Sequence, residues 1–305
     1  MDSQSEQRSP DVVEKTPMIV LIMQLLITVG AEHVHMQIWK KREHIDWPSD
    51  EEKTLPELDA LYRVEGSGCN VEVWNTTKNQ GTKTFANESV EKVFSRDFGI
   101  IRNNAEEIEI LKIVLNTTHH LADKFVRNFR HIMYAVKVEC IFLIVPNVAN
   151  LVYMLLESVS PLELNRIIIH NRSDKILKLE PKTFLLQSWR NADALEMRKV
   201  DFQKPEHLAG FKNLIFNQKT VNGEKIVSLM NNVGKFDAIE NISIKAKPIL
   251  GPIISKILDY PHGFEKASKV WYIKSKNVGE FKVAVAPHHV EITNVLRSPN
   301  DDLLM

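Results

Sequence analysis

Residues 187–230, QSWRNADALEMRKVDFQKPEHLAGFKNLIFNQKTVNGEKIVSLM, set two short apolar segments, a connection and a helix almost end to end. Ala194, Leu195 and Met197 form the first segment, and Phe211, Leu214, Ile215 and Phe216 the second. Val221, Ile226, Leu229, Met230 and Val233 then recur at helical spacing on one face. The reading is strand, strand, helix. Units of this kind recur along most of the chain, which points to a binding surface rather than a catalytic pocket.

Outward from this stretch the same alternation continues. Val90, Val93, Phe94, Phe98 and Ile101 mark a helix, followed by a strand IEILKIVLN. Leu121, Phe125, Phe129, Ile132 and Met133 mark a second helix, followed by a strand VKVECIFLIV. Val148, Leu151, Val152, Leu155, Leu156 and Val159 give the clearest amphipathic helix, with Asn147 as its expected cap and Pro161 near its end. LNRIIIHN and IENISIKA read as further strands, with a helix from 248 to 258 after the second. KVWYIKS precedes a terminal hairpin, FKVAVA and VEITNVL, turning at Pro287, His288 and His289.

Leu111, Ile141, Ile168, Leu195, Ile242 and Tyr272 head successive units, most of them roughly 27–30 residues apart. A single strand–helix pair cannot bury both of its apolar faces, so neighbours must stack. The expected fold class is α/β, an irregular leucine-rich-repeat-like strand–helix array. The strict leucine-rich consensus with its asparagine ladder is absent, which leaves a more compact α+β sheet as the alternative.

The chain has 305 residues, enough for one large domain or a large and a small one, and its formal net charge is zero. Lys40, Lys41 and Arg42 are the one basic run and read as a solvated helix end, so no nucleic-acid partner is expected. Cys69 and Cys140 form no zinc or disulfide pattern, and Cys140, inside VECIFLIV, reads as a buried thiol. Met18–Val29, MIVLIMQLLITV, is too short to span a bilayer comfortably, so no membrane is expected. With Gly30 and Ala31 behind it, this run shares features with a secretory core. Its upstream Asp2, Glu6, Asp11 and Glu14 are unlike a signal's basic start. Sequons stand at Asn75, Asn87, Asn116, Asn171 and Asn241. The expected location is cytoplasmic or nuclear, with a secreted binding protein as the lesser reading.

By composition, residues 1–15 read as a disordered leader, 16–46 as helices broken near Gly30, 47–61 as a Pro-containing acidic linker and 297–305 as a tail. Residues 62–296 form the repeat domain. In order along it stand GSGC, VEKVFSRDFGII, QSWRNADALEM, HLAGFKNLIFNQKTVNGEKIVSLM and SKVWYIKSKNVGEFKVAVAPHHVEITNV. This ordered set resembles the nematode F-box A proteins with their C-terminal FTH domain. Trp189, Ala192 and Leu195 fall in register with that family after a one-residue insertion at Ser188.

The resemblance implies a short helical F-box that docks on the Skp-type adaptor of an SCF ubiquitin ligase, and an FTH domain that recruits an unknown protein target. TPMIVLIMQLL is similar to the F-box helix through Pro17, Val20 and Leu25, and IWKKREHID to its end through Arg42, Ile45 and Asp46. Gln24 and Lys41 stand where the family carries apolar residues, so the F-box is diverged. The implied adaptor-binding residues are Pro17, Val20, Leu25 and Ile45. The alternative is a stand-alone protein-binding FTH module that recruits no ligase.

Sharper chemistry finds little support in the residues. Trp189 with Arg190 suits a recognition hot spot, but a Trp among apolar positions reads more simply as core. His119–His120 and His288–His289 lack a third ligand at metal spacing, and Glu106, Glu107 and Glu109 read as a solvated turn. Phosphate loops and nucleophile motifs are missing from the sequence. The expectation is a non-enzymatic protein with no catalytic residue, metal or cofactor. Asn165, Arg166, Arg198 and Lys212 are the exposed polar candidates for partner contact.

Overall fold

The computed structural model describes residues 21–40, 56–75, 81–118, 120–133, 136–218, 224–225, 228–229, 232, 238–246, 263–265, 268–275, 279–286 and 288–295. The chain divides into two compact units. One comprises residues 1–139 with Ser158–Ser160, the other residues 140–157 with 161–305.

The first unit corrects the N-terminal expectation. Leu21–Val29 (β1) and His33–Lys40 (β2) are antiparallel strands, not helices. They are followed by Leu58–Glu65 (β3), Gly68–Asn75 (β4), Gly81–Phe85 (β5) and Glu107–Leu115 (β6). The sheet order is β6-β1-β2-β3-β4-β5, with β1 parallel to β6 and the remaining neighbours antiparallel. The physical reason lies in the residues. Ile22, Ile27, Thr28 and Val29 are β-branched, and HVHMQI alternates strictly, the period of a half-buried strand. Gly30 makes the turn, where a Cβ would meet the His33 ring at 2.2 Å. Removing β1, as cleavage of a secretory signal near Ala31 would, takes away the strand that joins β2 to β6.

Leu25, expected on an adaptor-binding helix, is fully buried and lies between Ile38 and Leu111 in the sheet register. Pro17, Val20 and Ile45 lie outside the described residues, as do the leader, the tail and most of the expected linker; β3 begins inside the linker range. Val90–Asn104 (α1) and His120–Met133 (α2) cover the apolar face, as their spacing predicts. Ser89 caps α1 by accepting a hydrogen bond from the Lys92 amide. Tyr62, Phe94, Phe98, Phe125 and Phe129 form a run of ring contacts with centroids 5.3–5.7 Å apart. The Tyr62 hydroxyl donates to buried Asp97 at 3.2 Å. Burial and the Asp97 charge push the nearby Cys69 thiol up to about 11.

In the second unit, Lys137–Val145 (β7), Arg166–Asn171 (β8), Ala194–Arg198 (β10), Asn213–Asn217 (β12) and Asn241–Lys245 (β13) pair in that order, every pair parallel. Leu177–Lys178 (β9) and Val200–Asp201 (β11) form a separate two-stranded parallel sheet. The larger sheet closes with antiparallel strands Gly263–Glu265 (β14), Ser268–Ser275 (β15), Gly279–Ala286 (β16) and His289–Asn294 (β17), in the order β14-β15-β16-β17-β13. The terminal hairpin is β16–β17, as expected. Tyr272 lies in the antiparallel part, so it heads no parallel unit.

Register places Ile141, Ile167, Leu195, Leu214 and Ile242 in one buried column, and Leu143, Ile169, Met197, Phe216 and Ile244 in the next. Ile168 therefore points to the opposite face from the column it was expected to join. Cys140 is likewise half-buried on that opposite face rather than in the core. The returns beneath the columns are short. Ala149–Ser158 (α3) follows β7, a 3-10 turn Pro181–Leu185 and Gln187–Asn191 (α4) lead into β10, and a 3-10 turn Pro205–Leu208 precedes β12. In the expected helix after β12, the described positions Glu224, Lys225, Ser228, Leu229 and Asn232 are helical, and the helix at 248–258 lies outside the described residues.

Trp189 is core. It is 2% exposed, its ring meets Phe184 and Phe211 edge-on at 5.3 Å, and its indole N–H donates to the His207 carbonyl at 2.8 Å. Ser188, the insertion, is also buried and donates to the Leu156 carbonyl at 2.9 Å.

Leu25→Ala should cost about 2–5 kcal/mol in equilibrium unfolding, the range for truncating a buried leucine. A Leu25 on a docking surface would change stability by no more than about 0.5 kcal/mol.

Candidate functional site

Because side chains alternate across a strand, fixing the buried columns also fixes what the five parallel strands present on their other face. Three rows lie there. Cys140, Arg166, Ala194, Asn213 and Asn241 form the first, and Phe142, Ile168, Glu196, Ile215 and Ser243 the second. The third is Ile144, His170, Arg198, Asn217 and Lys245, continued onto β17 by His289. None of the fifteen parallel-strand residues is buried, in contrast to the columns beneath them. This face is uncovered among the described residues.

The middle of the face is knitted by ion pairs. Glu196 accepts from His170 at 3.1 Å and from Arg166 at 3.2 Å, both on the neighbouring strand β8. The His170 hydrogen bond, with the Arg166 charge behind it, holds the Glu196 carboxyl below its ordinary value of 4.5 despite partial burial. Phe142 meets the His170 ring edge-on at 4.7 Å, which fixes the imidazole from its other side. The Ser243 hydroxyl and a ring nitrogen of His289 lie 3.0 Å apart.

At the C-terminal ends of β8, β10, β12 and β13 opens a cavity of about 800 Å³. His170, Arg198, Asn217, Lys245 and His289 from the third row line it, together with the loops that follow those strands. This is where open parallel sheets place ligands, because the loops diverge beyond the strand ends. Two buried or half-buried amides hold the loops around it. Asn171, 3% exposed, donates to the carbonyls of Lys175 and Lys199 and accepts from the Ser173 amide, tying the bends after β8 and β10 together. Gln218 donates to the Val200 carbonyl at 2.6 Å and ties the next pair. The Asn171 sequon is thereby committed to the fold.

Of the default candidates, Arg166 and Arg198 lie on the open face, Arg198 at the cavity. Asn165 and Lys212 sit at the opposite strand ends. The Asn165 carbonyl accepts the Asp193 and Ala194 amides, and Lys212 pairs with Asp193 at 2.8 Å. Arg190 is exposed away from these rows. His288 and His289 line the cavity, while His120 is an exposed helix start and His119 lies outside the described residues. Among the described residues no three His, Cys, Asp or Glu side chains group to hold a metal ion. No described helix is long and apolar enough to cross a membrane. Sequence reading missed His170, Glu196 and Lys245. A signal was present, since each buried residue Ile169, Met197, Phe216 and Ile244 is followed by a polar one.

The depressed Glu196 carboxyl has a stability consequence of defined sign. Its contribution is complete above the unfolded value and is lost as pH falls through the lower folded value. Glu196→Gln should unfold more easily than the native chain at pH 7, by about 0.2–1 kcal/mol for so accessible a pair. The two denaturation midpoints should converge as pH drops below about 4. Parallel midpoints from pH 7 to pH 3 would show that the pairing contributes nothing.

No protein-family model matches the chain, and no curated protein matches it. Among solved structures it is similar to a protein from Bacteroides fragilis at 10% identity and a TM-score of 0.22, over 66% of this chain and 90% of that one. A likeness at that level supports neither a fold assignment nor a function.

Proposed function

We propose that the protein is a non-catalytic protein-interaction module that takes its partner on the open face of the parallel ladder in the second unit. One observation carries the reading. Five parallel strands present fifteen aligned side chains, mixed apolar and charged, none of them buried. Repeat-like α/β arrays use such a surface because each strand adds one row of side chains at fixed spacing while the packed columns behind keep it rigid. Apolar Phe142, Ile144, Ile168 and Ile215 supply area to desolvate, and the charges around them supply specificity.

The leucine-rich-repeat-like description suits residues 140–245, where the aligned positions Cys140, Arg166, Ala194, Asn213 and Asn241 recur with one short interval. The FTH resemblance agrees with a target-recruiting role for this part of the chain. Recruitment of a Skp-type adaptor forms no part of the proposal, because residues 21–40 are paired strands and Leu25 is buried. The reading favoured is the stand-alone module.

A photo-crosslinking residue at position 168 should capture one defined set of proteins from cells that express the chain. The same residue at position 190, exposed away from the rows, should not. Ile215→Asp should abolish capture at 168 while leaving the unfolding midpoint within about 0.5 kcal/mol. Equal capture at 168 and 190, or capture indifferent to Ile215→Asp, would refute a partner on this face.

A further inference from the structure

The third row of the face has a charge imbalance that its geometry makes specific. Among the groups lining the cavity, Glu196 is engaged by His170 and Arg166, and Asp174 pairs with Lys199 at 3.6 Å. Both cavity carboxylates are thus committed to cations. Arg198 and Lys245 have no carboxylate within ion-pair distance among the described residues, and His288 and His289 stand beside them. The chain as a whole has zero formal net charge, so this surplus is local. The cleft thus carries three formal cations, Arg198, Lys199 and Lys245, against two carboxylates, and a local excess of one sign concentrates ligands of the other.

The row also has a length. His170, Arg198, Asn217, Lys245 and His289 sit on consecutive strands in direct register. Strand neighbours lie about 4.8 Å apart, so the row spans roughly 19 Å, the reach of about six residues of extended chain. Arg198 and Lys245 are two strand steps apart, about 10 Å. Side chains three residues apart on a polyproline II segment, which has three residues per turn, share one face at about that separation, at about 3.1 Å per residue. Asn217 lies between the two cations and offers both a donor and an acceptor to a backbone crossing over it.

We infer that this row binds an acidic peptide segment of the partner, laid across the strand ends in polyproline II conformation, with carboxylates three residues apart meeting Arg198 and Lys245. The inference rests on the protein-interaction reading above and assigns the class of segment recognised. Rim charges of this kind act through encounter rate and register, so binding is expected to weaken with salt.

The test uses the full chain and a fluorescein-labelled hexapeptide carrying Glu at positions 2 and 5, read by fluorescence anisotropy. Its affinity should exceed that of the Gln-substituted peptide by about tenfold or more and fall as salt rises. Arg198→Glu with Lys245→Glu should remove that difference, whereas Lys178→Glu, an exposed lysine outside the cavity, should preserve it. Placing the two Glu side by side should weaken binding. Equal binding of the Glu and Gln peptides overturns the inference, as does indifference to the double charge reversal. Displacement of the peptide by inorganic phosphate at a similar concentration would reassign the cavity to a small anion and overturn it too. Crosslinking at position 168 distinguishes the two readings. Crosslinking that persists without peptide binding defeats this inference alone, and the reverse defeats the docking face alone.

Discussion

The second unit depends on side-by-side burial of one apolar residue per strand. Ile141, Ile167, Leu195, Leu214 and Ile242 stack across five parallel strands, with Leu143, Ile169, Met197, Phe216 and Ile244 stacked one step further along. Each such side chain contributes about 1.5–3 kcal/mol on burial. The columns gain this only if every strand keeps the same register, because a slip of one residue turns each apolar group outward. Trp189, Phe184 and Phe211 fill the space beneath, and the indole N–H satisfies a carbonyl that burial would otherwise leave unpaired. The open face inherits its order from this packing, and the charged row at the strand ends exists because the column behind it is aligned.

Much of this was legible in the sequence. Strands in ALEM and NISI announce themselves by alternation, that in VECIFLIV by its apolar run, and α1 and α2 by helical spacing. The face was less legible where alternation fails. RIIIH offers three isoleucines in a row, and nothing in the sequence chooses between Ile167 with Ile169 and Ile168 alone as the inward set. Only pairing with β7 and β10 decides it. Cys140 was misplaced for a related reason, since CIFLIV is apolar on both sides and Ile141, Leu143 and Val145 take the core. The cavity was invisible because its residues come from five segments with polar ends that mean little singly.

The N-terminal run shows the opposite failure. Met18–Val29 is apolar nearly all round, which suits a buried helix and a buried central strand equally well. The deciding information was local. Gly30 ends the run where a turn is needed, and HVHMQI beyond it alternates without a lapse. A strand bonded on both edges, with Leu25 fully buried, has a structural task that a detachable docking helix does not. The family resemblance aligned the residue types there but did not fix their conformation.

The central claim is the choice of face, and adjacent residues of opposite orientation test it directly. Hydroxyl-radical footprinting of the intact chain, read by mass spectrometry at single residues, compares Ile168 with Ile167 and Ile169, and Ile215 with Leu214 and Phe216. The account predicts oxidation at Ile168 and Ile215 with protection of their neighbours on both sides. Protection of Ile168 and Ile215 with oxidation of Ile167 or Leu214 would place the binding face on the wrong side of the sheet and contradict it.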